Sequence, residues 1–358
     1  MPSRPITDTA QTRVASCCGH LGVISASMSA LTVVAITGER FSGFAPYVAS
    51  VNDAGLVAFQ AALRDGGSGV FAGDGGEIEE LVVRSLHAGV TSHPDLNGAR
   101  DTSFYGELAR GGRGAFLHSE GCLQILADTH GAFASIGPLG PTMNEAGIVA
   151  FRADSRDGVS GVFAGDGTAV TTVADTSERW SRFHGLPVIT HDGTVVFRAD
   201  CKDGVQGIYA GRDGSIRTIA KTGDRFESFC LFPSANERGT VAFAATMRGG
   251  GAGVFTDDGG RITQLTKTGG AFEAYQGALI SNGGAVVIVA TPRGGSVGLF
   301  GGPDPDADRI LALGDQLLGA TVEDFAANPV SVNASGQVAI RANLADERQV
   351  ILRADPAR

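Results

Sequence analysis

Between Asp175 and Pro187 the chain carries Glu178, Arg179, Trp180, Arg182 and His184, and Trp180 is its single tryptophan. A carboxylate and an imidazole in one segment can pass a proton near neutral pH. A guanidinium beside them can hold an anion through paired N–H groups, and an indole can stack on a flat or sugar-like molecule. Related acid–arginine–aromatic triplets occur at Glu39-Arg40-Phe41 and Asp224-Arg225-Phe226. Two readings fit such a triplet: a salt-bridged turn with its ring tucked inward, or part of a charged funnel that orients a ligand. Trp180 is equally open, because Phe226 holds the same repeat position and a larger ring could simply replace it. On the functional reading, Glu178, His184 and His93 are the candidate proton-transfer residues. Arg40, Arg179, Trp180, Arg225 and Tyr275 are the candidates for holding a substrate.

The remaining chemistry-bearing residues narrow the field by what they lack. His87 and His130 join His93 and His184 on or near one set of loops, while His191 sits in a turn, His118 near a strand and His20 in the N-terminal tail. No HxH or HExxH spacing occurs, so histidines from separate units would have to converge to hold a metal. The five cysteines, Cys17, Cys18, Cys122, Cys201 and Cys230, form no CxxC and suggest neither a disulfide framework nor a zinc site. Asp-rich turns such as Asp257-Asp258 lack the graded oxygen ligands of a calcium loop and read as hairpins. There is no Gly-x-Ser-x-Gly elbow, Walker loop or dinucleotide fingerprint. The expected cofactor set is therefore empty, and no metal is assigned.

The elements that must position these residues come in repeats. Asn52-Asp53-Ala54-Gly55-Leu56-Val57-Ala58-Phe59 is echoed at Asn144–Phe151 and Asn236–Phe243, with weaker copies starting at Asn97, Thr190, Asn282 and Asn333. A period of roughly 46 residues belongs to an array of supersecondary units. The unit after Cys230 shows four short stretches of period-2 patterning. One turn is Asn-x-x-Gly and another is the hairpin Asp257-Asp258-Gly259-Gly260. The 53 glycines and the low charged fraction of 18% suit tight turns between strands. Four-stranded units repeated radially make a β-propeller, and seven units make seven blades. Aromatic pairs at equivalent sites, such as Phe59 with Phe71 and Phe243 with Phe255, are expected to pack one blade on the next.

The chain ends predict how the ring closes. The last unit stops at its third strand, Val350-Ile351-Leu352, whereas Leu31–Thr37 resembles the fourth strands Ile216–Thr222 and Ile262–Thr268. The N-terminal strand should complete the last blade and hide an open sheet edge. The expected organisation is a tail over residues 1–30, poorly structured or a short helix, and one propeller over 31–355. Val14-Ala15-Ser16-Cys17 looks like a lipoprotein cleavage box, but the residues before it are too polar for a signal peptide, so a cytoplasmic location is expected. No apolar run is long enough to span a membrane. The formal net charge of −10 argues against a nucleic-acid partner.

The Asn-x-x-Gly-x-Val-Ala-Phe units resemble the bacterial tandem-repeat proteins described as the NxxGxxAF family, from Leu31 to the C-terminus. That resemblance implies a propeller and no particular activity. Similar propellers occur in alkylating enzymes of the cylindrocyclophane type, an analogy of fold alone. In a propeller the fourth-to-first and second-to-third loops share one face. These loops diverge between units, and divergence on a rigid scaffold is where function is grafted. The leading expectation is a small-molecule ligand at the channel mouth on that face. It would be acted on by acid–base and positioning catalysis, of a lyase, cyclase or alkylating type. The alternative is a non-catalytic platform for a protein or glycan. The insertion at Leu313–Pro329 is expected to cover part of the mouth.

Overall fold

The structure, a computed structural model, describes residues 28–82 and 89–356. Residues 1–27 of the expected tail, with His20, Cys17 and Cys18, lie outside the described residues, as does His87. The described strands form seven antiparallel sheets. Blade 4 runs Trp180–Ile189, Val195–Cys201, Gln206–Arg212 and Ser215–Lys221 in that spatial order, from the axis outward. The protein is a seven-bladed β-propeller. No helix among the described residues is long and apolar enough to cross a membrane.

The repeat motif has a physical cause in two directions at once. Within a blade, the Asn side-chain oxygen accepts the N–H four residues on, as Asn52 does from Leu56 and Asn144 from Ile148. The glycine takes positive φ, +82° at Gly55, which a side chain would resist. Between blades, the Asn amide donates to the next inner turn: Asn52 to Asn97 O, Asn144 to Thr190 O, Asn236 to Ser281 O and Asn333 to Asn52 O. In the sixth unit the turn begins one residue before the Asn282 suggested by the pattern. Gly284 N–H bonds Ser281 O, and Ser281 Oγ accepts from Ala285. A hydroxyl can thus close the turn from one residue earlier.

A second set of contacts lies two residues before four of the turns. Ser331 Oγ donates to Ala49 O, Thr142 Oγ1 to Pro187 O, and Ser234 Oγ accepts from Ile280 N–H. Asp95 holds this position in blade 2 and accepts from Met143 N–H at 2.7 Å. Toward the rim, the aromatic pairs meet in register and stack, Phe59 on Phe71 at 6.1 Å and Phe243 on Phe255 at 5.6 Å. The Phe59–Phe71 pair shares a cluster with Ala339 and Ile351 of the preceding blade, so these rings weld blades together.

The ring is closed by strand exchange across the chain ends. Met28–Ile36 pairs antiparallel with Gln349–Pro356, placing Val33 opposite Leu352 and Ile36 opposite Val350. The innermost strand of several blades is interrupted, as at Phe133–Ile136 then Thr142–Met143, and at Phe226–Phe229 then Ser234–Ala235. That strand has an open edge facing the axis, so whatever bulges out of it enters the channel. The Leu313–Pro329 insertion forms a short hairpin, Gln316–Leu317 with Ala320–Ala326, and leads into the 3-10 turn Pro329–Ser331. Asn328 caps that turn and carries the end of the insertion to the axis, where it meets His93.

Candidate functional site

His93 of blade 2 ties two other blades together. Its ring is buried, with Nε2 3.1 Å from Pro141 O of blade 3 and Nδ1 3.5 Å from Asn328 Nδ2 of blade 7. A carbonyl can only accept, so Nε2 carries the proton and Nδ1 accepts from the amide. Gly140 makes room, since a Cβ there would fall 2.4 Å from the ring. Burial pulls the imidazole down to about 4, partly offset by the Pro141 contact, so it is neutral at pH 7. His93 is therefore a latch between blades 2, 3 and 7.

Below the latch, a small cavity of about 90 Å³ is lined by residues of all seven blades, among them Asp53, Asp95, Glu145 and Glu237. Burial pushes Asp95 up to about 7, and Glu145 adds to it against the N–H groups of Met143 and Leu96. Glu237 is raised by burial and by Glu145 and Asp53.

The three arginines of the repeated triplets lie over aromatic rings. Arg40 lies 4.8 Å from the Phe71 ring centroid, Arg179 4.1 Å from that of Trp180, and Arg225 4.7 Å from that of Phe255. Each caps the aromatic cluster of its own blade, and Arg225 also donates to Gln264. Trp180 is 0% exposed and packs on Phe183, Phe197 and Tyr209, so neither face of the indole is available to a ligand. It is the larger counterpart of Phe226. Tyr275 is buried too, its hydroxyl 2.6 Å from Thr266 Oγ1. Glu178 is exposed on the loop before Trp180. Strand rise alone separates Trp180 from His184 by about 13 Å, so Glu178 and His184 do not form one site.

This arrangement predicts that Trp180→Ala loses about 3–5 kcal/mol while Trp180→Phe keeps most of the stability. Urea denaturation checks it. An unchanged midpoint for the alanine variant would put the ring outside the core.

What the structure brings to His184 is a partner set from the second strand of blade 4. Phe183 and Phe197 face the blade interior, so Arg182 and His184 share the other face with Arg198 and Asp200. In register, Arg182 lies opposite Asp200 and His184 opposite Arg198. His184 Nε2 is 2.8 Å from Asp200 Oδ2, a close ion-pair contact without the alignment of a directed hydrogen bond. His184 Nε2, Asp200 Oδ1 and Arg198 Nε are buried atoms with no hydrogen-bond partner. The matching squares elsewhere satisfy themselves better: Ser135 donates to Asp154 in blade 3, and Ser228 meets Thr246 in blade 5. Arg182 is exposed and pairs with no carboxylate among the described residues. Burial lowers the proton affinity of both Arg152 and Arg198, and Arg182 adds to the effect in each. Three guanidiniums thus gather beside one imidazole. Arg152 and Arg198 also brace the innermost strands of the next blades, donating to Gly185 O and Leu231 O.

A signal for this site was present in the repeats. Phe151-Arg152-Ala153-Asp154 recurs as Phe197-Arg198-Ala199-Asp200, with charge on the strand face that other blades fill with Ala244 or Val289.

Residues 10–260 and 171–351 match the model of a family described as a family of unknown function, DUF7453. The chain belongs to that family. Comparison with curated proteins gives no match. Among solved structures, the chain is similar to an oligogalacturonate lyase in complex with manganese, at 10% identity and TM-score 0.58, covering 92% of this chain and 98% of that one. It is also similar to an oligogalacturonate lyase from Vibrio parahaemolyticus, at 9% identity and TM-score 0.54, over 91% and 98% of the two chains. A puromycin-hydrolyzing peptidase of Mycobacterium tuberculosis gives 12% identity and TM-score 0.52, over 94% of this chain and 53% of that one. At such identities the likeness is of the propeller fold alone. Among the described residues no group of three or more His, Cys, Asp or Glu side chains is placed to hold a metal.

Proposed function

We propose that this propeller binds a small carboxylate-bearing molecule on the loop face beside Arg182 of blade 4 and moves a proton on it. One observation carries the reading: the square of Arg182, His184, Arg198 and Asp200, in which an exposed arginine without a carboxylate partner among the described residues stands beside a His184–Asp200 contact. Arg182 is the natural first contact for an anion, since its planar fork matches a carboxylate. His184, oriented by Asp200, is the candidate base for the proton next to that carboxylate. Removal of such a proton with departure of a β-substituent is an elimination, which needs positioning and a base but no covalent nucleophile. The fold likeness to two lyases adds no substrate to this reading.

The second reading is a protein-binding platform. It is favoured by the exposed apolar side chains of Leu139 and Leu231 in the interruptions of the innermost strands. Ligand-observed NMR with simple carboxylates separates the two. Arg182→Ala is expected to weaken binding tenfold or more, whereas Arg40→Ala, which only uncaps a ring, leaves it unchanged. His184→Gln is expected to retain binding and lose turnover. Equal carboxylate binding by the native protein and Arg182→Ala would remove the anion site and favour the platform.

A further inference from the structure

Blades 2 and 3 enclose a cleft of about 590 Å³ on the loop face, within the ~300–1,000 Å³ span of small-molecule sites. Its walls carry one charge of each sign, Glu107 and Arg113, and include the buried side chains of Leu108 and Ile136. The two charges stand opposite each other on neighbouring strands, Thr102–Glu107 and Arg113–Ser119, where unlike charges ordinarily pair. Here Arg113 turns away instead. Its Nη1 reaches across to blade 3 and donates to Ile136 O at 3.1 Å. Gly137 admits it, since a Cβ there would fall 3.2 Å from Nη1. Glu107 is exposed and pairs with no cation among the described residues. The rim between them is fixed in place. Thr129 Oγ1 accepts from Arg113 N–H at 2.9 Å, and His130 Nε2 holds Gly111 O at 2.7 Å. Arg212 and Arg217 line another cleft, between blades 4 and 5, but there both are neutralised by Asp192, Asp213 and Asp257.

We propose that this cleft is a second binding site, for a small zwitterion of the α-amino-acid class with an aliphatic side chain. Arg113 takes the carboxylate, because its bond to Ile136 O leaves most of the guanidinium's N–H groups for a planar anion. Glu107 takes the ammonium. Leu108 and Ile136 receive the aliphatic part. A simple anion would meet the like charge of Glu107, and a simple cation that of Arg113. Only a ligand carrying both charges satisfies both walls. The site is separate from the anion contact at Arg182, which belongs to blade 4 and lines no part of this cleft.

Isothermal titration of the full chain with leucine, N-acetylleucine and leucinamide tests this. The native protein is expected to bind leucine about tenfold or more tighter than either blocked form, each of which lacks one charge-assisted contact. Glu107→Gln changes an exposed side chain, so its Tm is expected to match the native value. Its leucine affinity should fall about tenfold. Its affinity for N-acetylleucine, which has no ammonium to lose, should not fall. Arg182→Ala is expected to leave leucine binding unchanged, so the two sites are read separately. No leucine binding by the native protein, equal binding of the three probes, or native leucine affinity in Glu107→Gln each overturns the proposal. Leucine binding that disappears in Arg182→Ala would place the amino acid at blade 4 and overturn it as well.

Discussion

A chain starting at Thr37 is expected to lose its cooperative fold. Without Met28–Ile36, blade 7 keeps its inner strands but exposes the whole outer edge of Gln349–Pro356. Val34 and Ala35 leave a cluster that includes Phe41, Phe59 and Ile351, and Val33 and Ile36 leave the one built on Leu352 and Val350. Each buried aliphatic side chain is worth about 1.5–3 kcal/mol, and a domain of this kind has roughly 5–15 kcal/mol in all. The loss also opens the only covalently unlinked joint of the ring, between the first and last blades. Those blades are otherwise tied by contacts such as Asn333 to Asn52 O and Arg353 to Gly55 O. Thermal melts followed by circular dichroism should show a broad or absent transition. A permuted chain supplies the control. Met28 lies opposite Pro356, so a short linker can place the strand after the C-terminus as a hairpin, and that protein should melt like the native one. A sharp native-like transition in the truncated chain would mean that the closing strand contributes little.

Asp95→Ser is expected to stabilise the protein at pH 7.5, and to do so less as the pH falls toward 4. Burial holds the Asp95 carboxyl at about 7 in the folded chain against the ordinary 3.8. A raised carboxyl favours folding fully below 3.8, and this support is lost as the pH rises through 7. The difference corresponds to about 4 kcal/mol at the alkaline end. Serine already holds the equivalent place in blades 5 and 7, where Ser234 accepts from Ile280 N–H and Ser331 reaches Ala49 O. Part of the gain is offset by the lost contact to Leu96 N–H, so a net gain of about 2–3 kcal/mol is expected. His93 works in the opposite direction. Its imidazole is depressed to about 4, so its support is complete above 6.5 and lost as the pH falls through 4. The two slopes nearly cancel in the native chain between pH 4 and 7. Asp95→Ser should therefore unmask the histidine, making stability fall on acidification across this window. Urea midpoints at several pH values decide it. A variant whose pH profile parallels the native one would mean that Asp95 ionises normally.

Much of the architecture was legible because its causes are local. Asn52 and Gly55 make their turn within five residues, and strand patterning and the Phe59–Phe71 spacing repeat with every unit. Even the closure was readable, since Leu31–Thr37 looks like a fourth strand with no sheet of its own. The candidate site was harder. Arg179, Trp180 and His184 drew attention by type, but the register slips between Trp180 and Arg182, and that slip sets the ring into the core while its neighbour faces out. Residue type carries no such sidedness.

From its sequence alone this protein is committed to seven repeated sheets and a borrowed closing strand, because short-range turns and alternating burial dictate both. Tertiary structure alone decided that His93 of blade 2 meets Pro141 of blade 3 and Asn328 of blade 7. It alone joined His184 to Asp200, and left Leu139 and Leu231 on display. Those pairings join residues distant in the chain, and the distance between them is set by how the blades close around the axis.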